Sequence, residues 1–283
     1  CGSRPECHLM DAAAMNVTFT RRTFLGAASA ACLAAAELDP AYKLIAHRGG
    51  IVDSAHPENS PGSLEAAIAR GYWMVEVDIR RTKDGEPILQ HDPSFQRFYG
   101  DSRLVEQMTW AEVSRLRATP GGSKPIHFRE ACAMCEGKIR LMLDIKSTEW
   151  PEAFYTGLGD TMERHKLLAS AYMLGGGTRP ARILGPRLRQ SANRARLLAA
   201  LERGDDVAAR YYLFEQASEL SPETYALSMQ HGVTPVASIN TFRYTMAKRD
   251  EWKGPEEDAA RMKALGVRHY QIDSLYDAFF TRK

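Results

Sequence analysis

Tyr72-Trp73-Met74-Val75-Glu76-Val77-Asp78-Ile79-Arg80-Arg81-Thr82-Lys83-Asp84-Gly85-Glu86-Pro87-Ile88-Leu89-Gln90-His91-Asp92 is the stretch on which the reading of this chain turns. Trp73, Val75, Val77 and Ile79 alternate with the residues between them at period two, and β-branched side chains suit a pleated strand. Glu76 and Asp78 therefore share a face. Two carboxylates one pleat apart among apolar neighbours repel each other and resist burial unless a cation lies between them. That is the logic of a metal site; the plain alternative is a surface hairpin with solvated acids. Lys83-Asp84-Gly85-Glu86 supplies a polar turn with a glycine free to adopt positive φ. Pro87 to Gln90 then reads as a short return strand that delivers His91 and Asp92 close to the carboxylates.

Upstream, Lys43-Leu44-Ile45-Ala46 is a short apolar strand that runs straight into His47-Arg48-Gly49-Gly50. This exposes an imidazole and a guanidinium at the strand's carboxyl end, and a guanidinium fork suits a pair of phosphate oxygens. After Pro57-Glu58-Asn59, Ser60 caps a helix with Pro61 in its first turn, Leu64, Ala67 and Ile68 on its apolar face, and Gly71 as its stop. Strand, helix and strand make a βαβ unit with a right-handed crossover. Downstream, about 92–127 forms an excursion: Phe95, Arg97, Phe98 and Tyr99 lie in a stretch without period, and Thr109 caps a helix carrying Trp110, Val113 and Leu116. Phe128 to Gly137 is a helix, and Ile139 to Lys146 a strand that sets Asp144 and Lys146 on one face and Leu141, Leu143 and Ile145 on the other. An acid and a lysine there complete a metal shell and add a phosphate-binding charge; a buried salt bridge is the bland alternative.

The alternation continues. Helices are expected at Tyr155 to His165, Asn193 to Arg203, Ser221 to His231 and Glu256 to Leu265. Strands are expected at Ser170 to Leu174, Ala209 to Glu215, Thr234 to Asn240 and Arg268 to Asp273, with one more either at Ala181 to Leu184 or from about Leu188. The count approaches eight β/α units, which favours a (β/α)8 barrel with a small insertion after the second barrel strand and its site at the carboxyl face.

The 283 residues are 44% apolar and 25% charged, ordinary globular usage, and the formal net charge of +2 without a long basic run argues against nucleic acid as a partner. The arginines at 179, 182, 187, 189, 194, 196 and 203 are scattered as on a solvated face, with contact to anionic lipid head groups as the sharper alternative. Cys132 and Cys135 sit in Ala131-Cys132-Ala133-Met134-Cys135, one side of a buried helix, and a structural role is expected for both. Thr20-Arg21-Arg22-Thr23-Phe24-Leu25, a weakly apolar run to Leu33 and Ala34-Ala35-Ala36 have the layout of a twin-arginine export signal cleaved after Ala36. Met15 is then the expected start and Cys1 to Ala14 upstream read-through, with a lipoprotein anchored at Cys1 as the alternative. The mature domain is expected at 37–283, in the periplasm or secreted.

His47-Arg48-Gly49, Pro57-Glu58-Asn59-Ser60, Glu76-Val77-Asp78, Thr82-Lys83-Asp84-Gly85, His91-Asp92 and Asp144-Ile145-Lys146, in this order, resemble the glycerophosphodiester phosphodiesterase family. The resemblance spans Lys43 to Asp273 and is strongest in its first hundred residues or so. It implies a TIM barrel that hydrolyses a small-molecule glycerophosphodiester to glycerol phosphate and an alcohol with one divalent cation, Ca2+ or Mg2+. By the same resemblance Glu76, Asp78 and Asp144 are metal ligands, Asp144 standing where the family usually has Glu. His47 and His91 are the general acid and base, Arg48 and Lys146 hold the phosphate, and Glu58, Asn59 and Asn240 support the site. The chain departs from the family at Gln271-Ile272-Asp273-Ser274, where Thr-Asp and then a proline are common, and at Ser238 to Tyr244, which replaces a frequent aromatic. Two alternatives remain: a phospholipase D-like lyase, of the sphingomyelinase D type, acting on lysophospholipids through a cyclic phosphate, and a non-catalytic phosphodiester-binding protein.

Overall fold

The protein is described by a computed structural model over residues 36–175 and 178–282. The paired arginines Arg21-Arg22, the apolar run after them and Cys1, Cys7 and Cys32 lie outside the described residues. In chain order the strands are β1 (Lys43–Ala46), β2 (Met74–Arg81), β3 (Pro87–Leu89), β4 (Ser94–Phe95), β5 (Asp101–Leu104), β6 (Arg140–Ile145), β7 (Tyr172–Met173), β8 (Arg189–Ala192), β9 (Tyr211–Gln216), β10 (Pro235–Ile239) and β11 (His269–Ile272). β1, β2 and β6 to β11 pair in parallel, and β1 pairs with both β2 and β11, so the sheet closes on itself. This is the expected (β/α)8 barrel, with helices between successive strands.

Most of the expected elements form for the reasons read from their residues. Ser60 accepts from the Ser63 N–H at the start of the helix Pro61–Arg70, and Gly71 ends it at φ 84°. Between β2 and β6 lies the insertion. β3 returns antiparallel along β2, and β4 and β5 form a separate two-stranded ribbon. Ile88, Phe95, Val105, Met108 and Val113 give this region a small core of its own. Cys132 and Cys135 are both buried in the helix Phe128–Cys135, and burial pushes the Cys135 thiol up to about 12.

One open alternative is decided, for a strand beginning just after Leu188, and two local expectations are corrected. Ala181 to Leu184 belongs to the helix Arg179–Leu184, started by Thr178, whose hydroxyl accepts from the Ala181 N–H, and by Pro180 in the first turn; the strand begins after Leu188, at Arg189. Ala209 and Arg210 close a helical turn, Val207–Arg210, that Asp206 caps, and β9 starts only at Tyr211. A further helix, Thr241–Met246, follows β10 where none was expected.

The barrel interior changes character along its axis. Ile45, Met74, Met142, Tyr172, Tyr212 and Val236 form an apolar plug inside the ring of strands. The Tyr172 and Tyr212 rings stack at 4.3 Å, and the Tyr212 hydroxyl donates to the Met173 carbonyl. Inward positions recur every second residue, so from Met74 the next inward positions along β2 are Glu76 and Asp78, and from Met142 along β6 it is Asp144. The floor is therefore apolar and the carboxyl end acidic. Leu141, Leu143, Val75, Val77 and Ile79 face outward into the larger core between the barrel and its helices.

Candidate active site

β2 and β6 pair with Asp78 opposite Asp144, which brings the acids of two strands together. One carboxylate oxygen from each of Glu76, Asp78 and Asp144 lies within 4.8 Å of the others. Glu76 and Asp78 are each 1% exposed, while Asp144 lies partly open at the rim. Asn59 brackets Asp78: its amide donates to Oδ2 at 2.6 Å and its carbonyl oxygen accepts the Asp78 N–H at 3.1 Å. Lys146 sets its ammonium 2.6 Å from Asp78 Oδ1 and 2.7 Å from Asp144 Oδ2. It is thus placed among the acids, as the bland alternative required. One lysine does not neutralise three carboxylates. Burial, then the charges of Asp78 and Asp144, push the Glu76 carboxyl well above its ordinary range, and its Oε1 is buried without a hydrogen-bond partner. An all-oxygen set with surplus negative charge and an unpartnered buried oxygen fits a hard divalent cation.

His47 follows β1 directly, and Asp273 follows β11. Ala46 and Ile272 are register partners, so the two side chains meet, with His47 Nδ1 2.6 Å from Asp273 Oδ1. Burial raises the Asp273 carboxyl, but the His47 bond and charge, with Thr241 behind them, hold it at about 2. Thr241 donates both its N–H and its hydroxyl to Asp273 Oδ2 at 2.7 Å. An ionised carboxylate only accepts, so Nδ1 carries a proton, and in the neutral ring the lone pair is left on Nε2. Nε2 points toward the acids, 4.0 Å from Glu76 Oε2.

His91 repeats the device with local parts. Its Nδ1 lies 2.9 Å from Asp92 Oδ1. Burial opposes ionisation of Asp92, but the His91 bond and the Arg97 charge hold it at about 2. Arg80 grips the His91 carbonyl from Nε and Nη2 at 3.0 and 2.7 Å, which fixes the loop after β3. His91 is close enough to Asp78 to favour its ionised form.

The turn after β1 is tight. Gly49 (φ 82°) and Gly50 (φ 133°) pass so close to the following loop that a Cβ would lie 2.5 Å from Asn59 Cα and 2.0 Å from the Ser63 carbonyl oxygen. Arg48 itself stands at φ 54°, an uncommon conformation for its type, with its N–H on Glu76 Oε2 at 2.7 Å. Its guanidinium pairs with Glu58 at 3.0 Å, and its Nε is buried with no partner. Glu58 also pairs with Arg97 from the insertion and groups with His91 and Asp92. As placed, Glu58 anchors two guanidiniums instead of reaching the three-acid cluster. Asn240, at the end of β10, has a buried Nδ2 without a partner. A cleft of about 460 Å3 runs from His47 and Asp144 past Asn240 to Phe214, Glu215 and Phe242.

Of the ten expected site residues, Glu76 and Asp78 lie inside β2 and Asp144 inside β6, His47, His91, Lys146 and Asn240 lie just beyond strand ends, and Arg48, Glu58 and Asn59 lie in the loop after β1. Sequence reasoning brought Asp92 to the acids with His91 and offered Arg97 for the pocket mouth, without giving either a partner, and it assigned no role to Asp273 or Thr241. Asp273 carried a signal, a lone carboxylate stepping off the last barrel strand. Thr241 carried none.

Fold and site together define a (β/α)8-barrel protein that carries three clustered acids and two imidazole–aspartate pairs toward the carboxyl face of the barrel. The sequence model of the Glycerophosphoryl diester phosphodiesterase family matches residues 47–149. A probable glycerophosphodiester phosphodiesterase 2 of Mycobacterium tuberculosis is 24% identical over 258 residues, 86% of this chain and 96% of that one. The human glycerophosphodiester phosphodiesterase 1 is 34% identical over 126 residues, 41% of this chain and 38% of its own. Among solved structures, a glycerophosphoryl diester phosphodiesterase from Parabacteroides distasonis superposes with a TM-score of 0.65 at 18% identity, over 86% of this chain and 91% of that one. An Oleispira antarctica phosphodiesterase in complex with the product sn-glycerol-3-phosphate gives 0.62 at 20% identity, over 82% and 92%. Residues 47–149 thus match the family's sequence model, and the chain is similar along most of its length to a protein that carries the family's name.

Proposed function

We propose that this protein hydrolyses glycerophosphodiesters to glycerol 3-phosphate and an alcohol, with His47 and His91 as the acid and base pair. The observation that carries this reading is the pairing of each imidazole with an ionised aspartate through Nδ1, beside a buried acid cluster with an unpartnered Glu76 oxygen. Glu76, Asp78 and Asp144 would hold one divalent cation, Ca2+ or Mg2+. Bound there, it would supply electrostatic stabilisation of the charge that gathers on the phosphoryl oxygens.

The chain's own groups do the rest. The buried unpartnered N–H of Arg48 and the free amide hydrogens of Asn240 are donors in search of an acceptor, which the nonbridging oxygens of a phosphodiester provide. Lys146 places a positive charge at the edge of the same cluster. As the P–O bond to the alcohol breaks, one imidazole Nε2 takes the proton of the attacking oxygen and the other gives a proton to the departing alkoxide. Asp273 and Asp92 accept from Nδ1 of the two rings, which leaves Nε2 as the proton acceptor in the neutral ring and as the proton donor in the ring that is an imidazolium. The twin-arginine layout of the sequence around Arg21-Arg22 is what supports reading its site of action as periplasmic or secreted.

The test is release of glycerol 3-phosphate from glycerophosphocholine or glycerophosphoethanolamine, with EDTA and His47→Ala as controls. Full activity in either control overturns the mechanism. The relatives above carry the names of phosphodiesterases, which does not favour the lyase alternative, and a cyclic phosphate as final product would restore it.

A further inference from the structure

Glu58, His91 and Asp92 form a second group, beside the three acids, whose ligand atoms lie within 4.8 Å of one another. Unlike the first group, it already holds a cation of the chain's own. Arg97 reaches it from the helical turn Gln96–Tyr99 of the insertion, with Nε 2.7 Å from Asp92 Oδ2 and Nη2 on Glu58 Oε1. Each carboxylate turns its other oxygen to a residue of the proposed reaction. Glu58 Oε2 accepts from Arg48 Nη1 at 3.0 Å, and Asp92 Oδ1 lies 2.9 Å from His91 Nδ1. Arg48, Glu58, Arg97, Asp92 and His91 are therefore linked end to end, with Arg97 in the middle.

Charge separates this group from the first. Here two carboxylates face two guanidiniums, Arg48 and Arg97, whereas in the first group one lysine faces three carboxylates. A planar fork that donates from two nitrogens to two carboxylates also fixes the direction of both, which a point charge does not. Glu58 is 8% exposed, so its charge depends on these partners more than on water. The turn that carries Arg97 has firm support: Phe95 is fully buried in the insertion's own core and packs edge-on against Tyr99 at 5.6 Å, and the guanidinium lies 4.5 Å over the Phe98 ring. Without Arg97, the charges of Glu58 and Asp92 would repel each other across the gap between the loop after β1, which carries Arg48, and the loop after β3, which carries His91.

We propose that Arg97 is a positioning residue: its guanidinium, delivered by the insertion, braces the Arg48 loop against the His91 loop and so sets the spacing between the group that holds the phosphate and the ring that exchanges a proton with the ester. Those two roles rest on the reading given under Proposed function. The insertion is then a working part of the site.

The experiment is steady-state kinetics with glycerophosphocholine on the full chain and its Arg97→Ala and Arg103→Ala variants. Arg103 is the control, because it belongs to the insertion but pairs with Asp101 and Glu112 of that same insertion. Arg97→Ala should raise KM and lower kcat, each by about three- to ten-fold, as Arg48 and His91 lose their common brace. Arg103→Ala should match the wild type. Guanidinium ion, far below denaturing concentrations, should restore most of the loss in Arg97→Ala, since that side chain is 40% exposed and its place opens to solvent. Methylammonium should not, because one ammonium does not reproduce the fork. Unchanged constants in Arg97→Ala, an equal loss in Arg103→Ala, or a loss that guanidinium does not restore overturns the proposal. Equal restoration by methylammonium overturns the two-carboxylate bridge. A change in kcat alone overturns the Arg48 half, and a change in KM alone the His91 half.

Imidazole NMR signals test the brace without turnover. The His91 signal, assigned by its loss in His91→Ala, should move in Arg97→Ala while the His47 signal stays, and an unmoved His91 signal overturns the proposal. If the wild type releases no glycerol 3-phosphate, the proposed function fails while this readout still stands.

Discussion

The two histidine corners of the site use the same chemistry on different mechanical foundations. His47 and Asp273 step off neighbouring strands and are 226 residues apart in the chain, and Thr241 fixes the carboxylate from a third segment. His91 takes its carboxylate from the next residue, on the loop where the insertion begins, and its side chain is 31% exposed against 13% for His47. The His47 corner is held by the barrel and has little freedom. The His91 corner is held by a loop and by the arginines Arg80 and Arg97. In the reaction proposed above, one rigid ring and one that meets solvent would serve the two proton transfers, because the second could exchange its proton with water between turnovers.

The largest effect separates nothing and so tests whether both corners act. His47→Ala and His91→Ala should each lower kcat by about 10²–10⁴-fold with circular dichroism unchanged. A variant that keeps wild-type kcat removes that ring from the mechanism. The aspartates sharpen the contrast. Asp273→Asn should cost roughly 100-fold in kcat, because the ring loses the acceptor that fixes its tautomer and position and two Thr241 donors lose their partner. Asp92→Asn should cost about ten-fold at most, since water reaches that corner. Equal losses would show that the two foundations are equivalent.

Stability against pH gives a smaller effect of known sign. Both aspartates are held at about 2, below the ordinary value of about 3.9, so each contributes stability that is present above pH 4 and disappears as pH falls toward 2. The contribution is about 2 kcal/mol apiece, read as the fall in urea midpoint over that window. Asp273→Asn should remove its share of the slope, and an unchanged slope would refute the linkage. The smallest signal comes from the acid cluster between the corners. Crowding and burial raise the Glu76 carboxyl, so binding of Ca2+ or Mg2+ should release a fraction of a proton, up to about one, and tighten with rising pH. Calorimetry in buffers of different ionisation heat reads this directly. Binding without proton release would mean that Glu76 is already ionised.

Much of this was legible in the residues, for a physical reason. A period-two strand puts Glu76 beside Asp78 on one face, and the same rule puts Asp144 beside Lys146, whatever the rest of the chain does. Adjacent residues travel together, so His47 with Arg48 and His91 with Asp92 arrive as pairs. Length and alternation led to the barrel, and the insertion showed as a stretch without period. What the sequence left open fell where local signals are ambiguous. Ala181 to Leu184 is short and apolar enough to be a strand or a helix, and Thr178 and Pro180 decided for the helix.

By itself, then, the sequence determined which side chains share a face, which strand ends carry chemistry and which family pattern they compose. Tertiary structure alone decided which of those ends meet. That Ala46 lies opposite Ile272 brings Asp273 to His47, and that Asp78 lies opposite Asp144 closes the acid cluster. It also decided that Lys146 settles among the acids and that Glu58 ties Arg48 to Arg97. Register between strands far apart in the chain follows from closure of the whole sheet and the packing of its interior, and no local pattern encodes it.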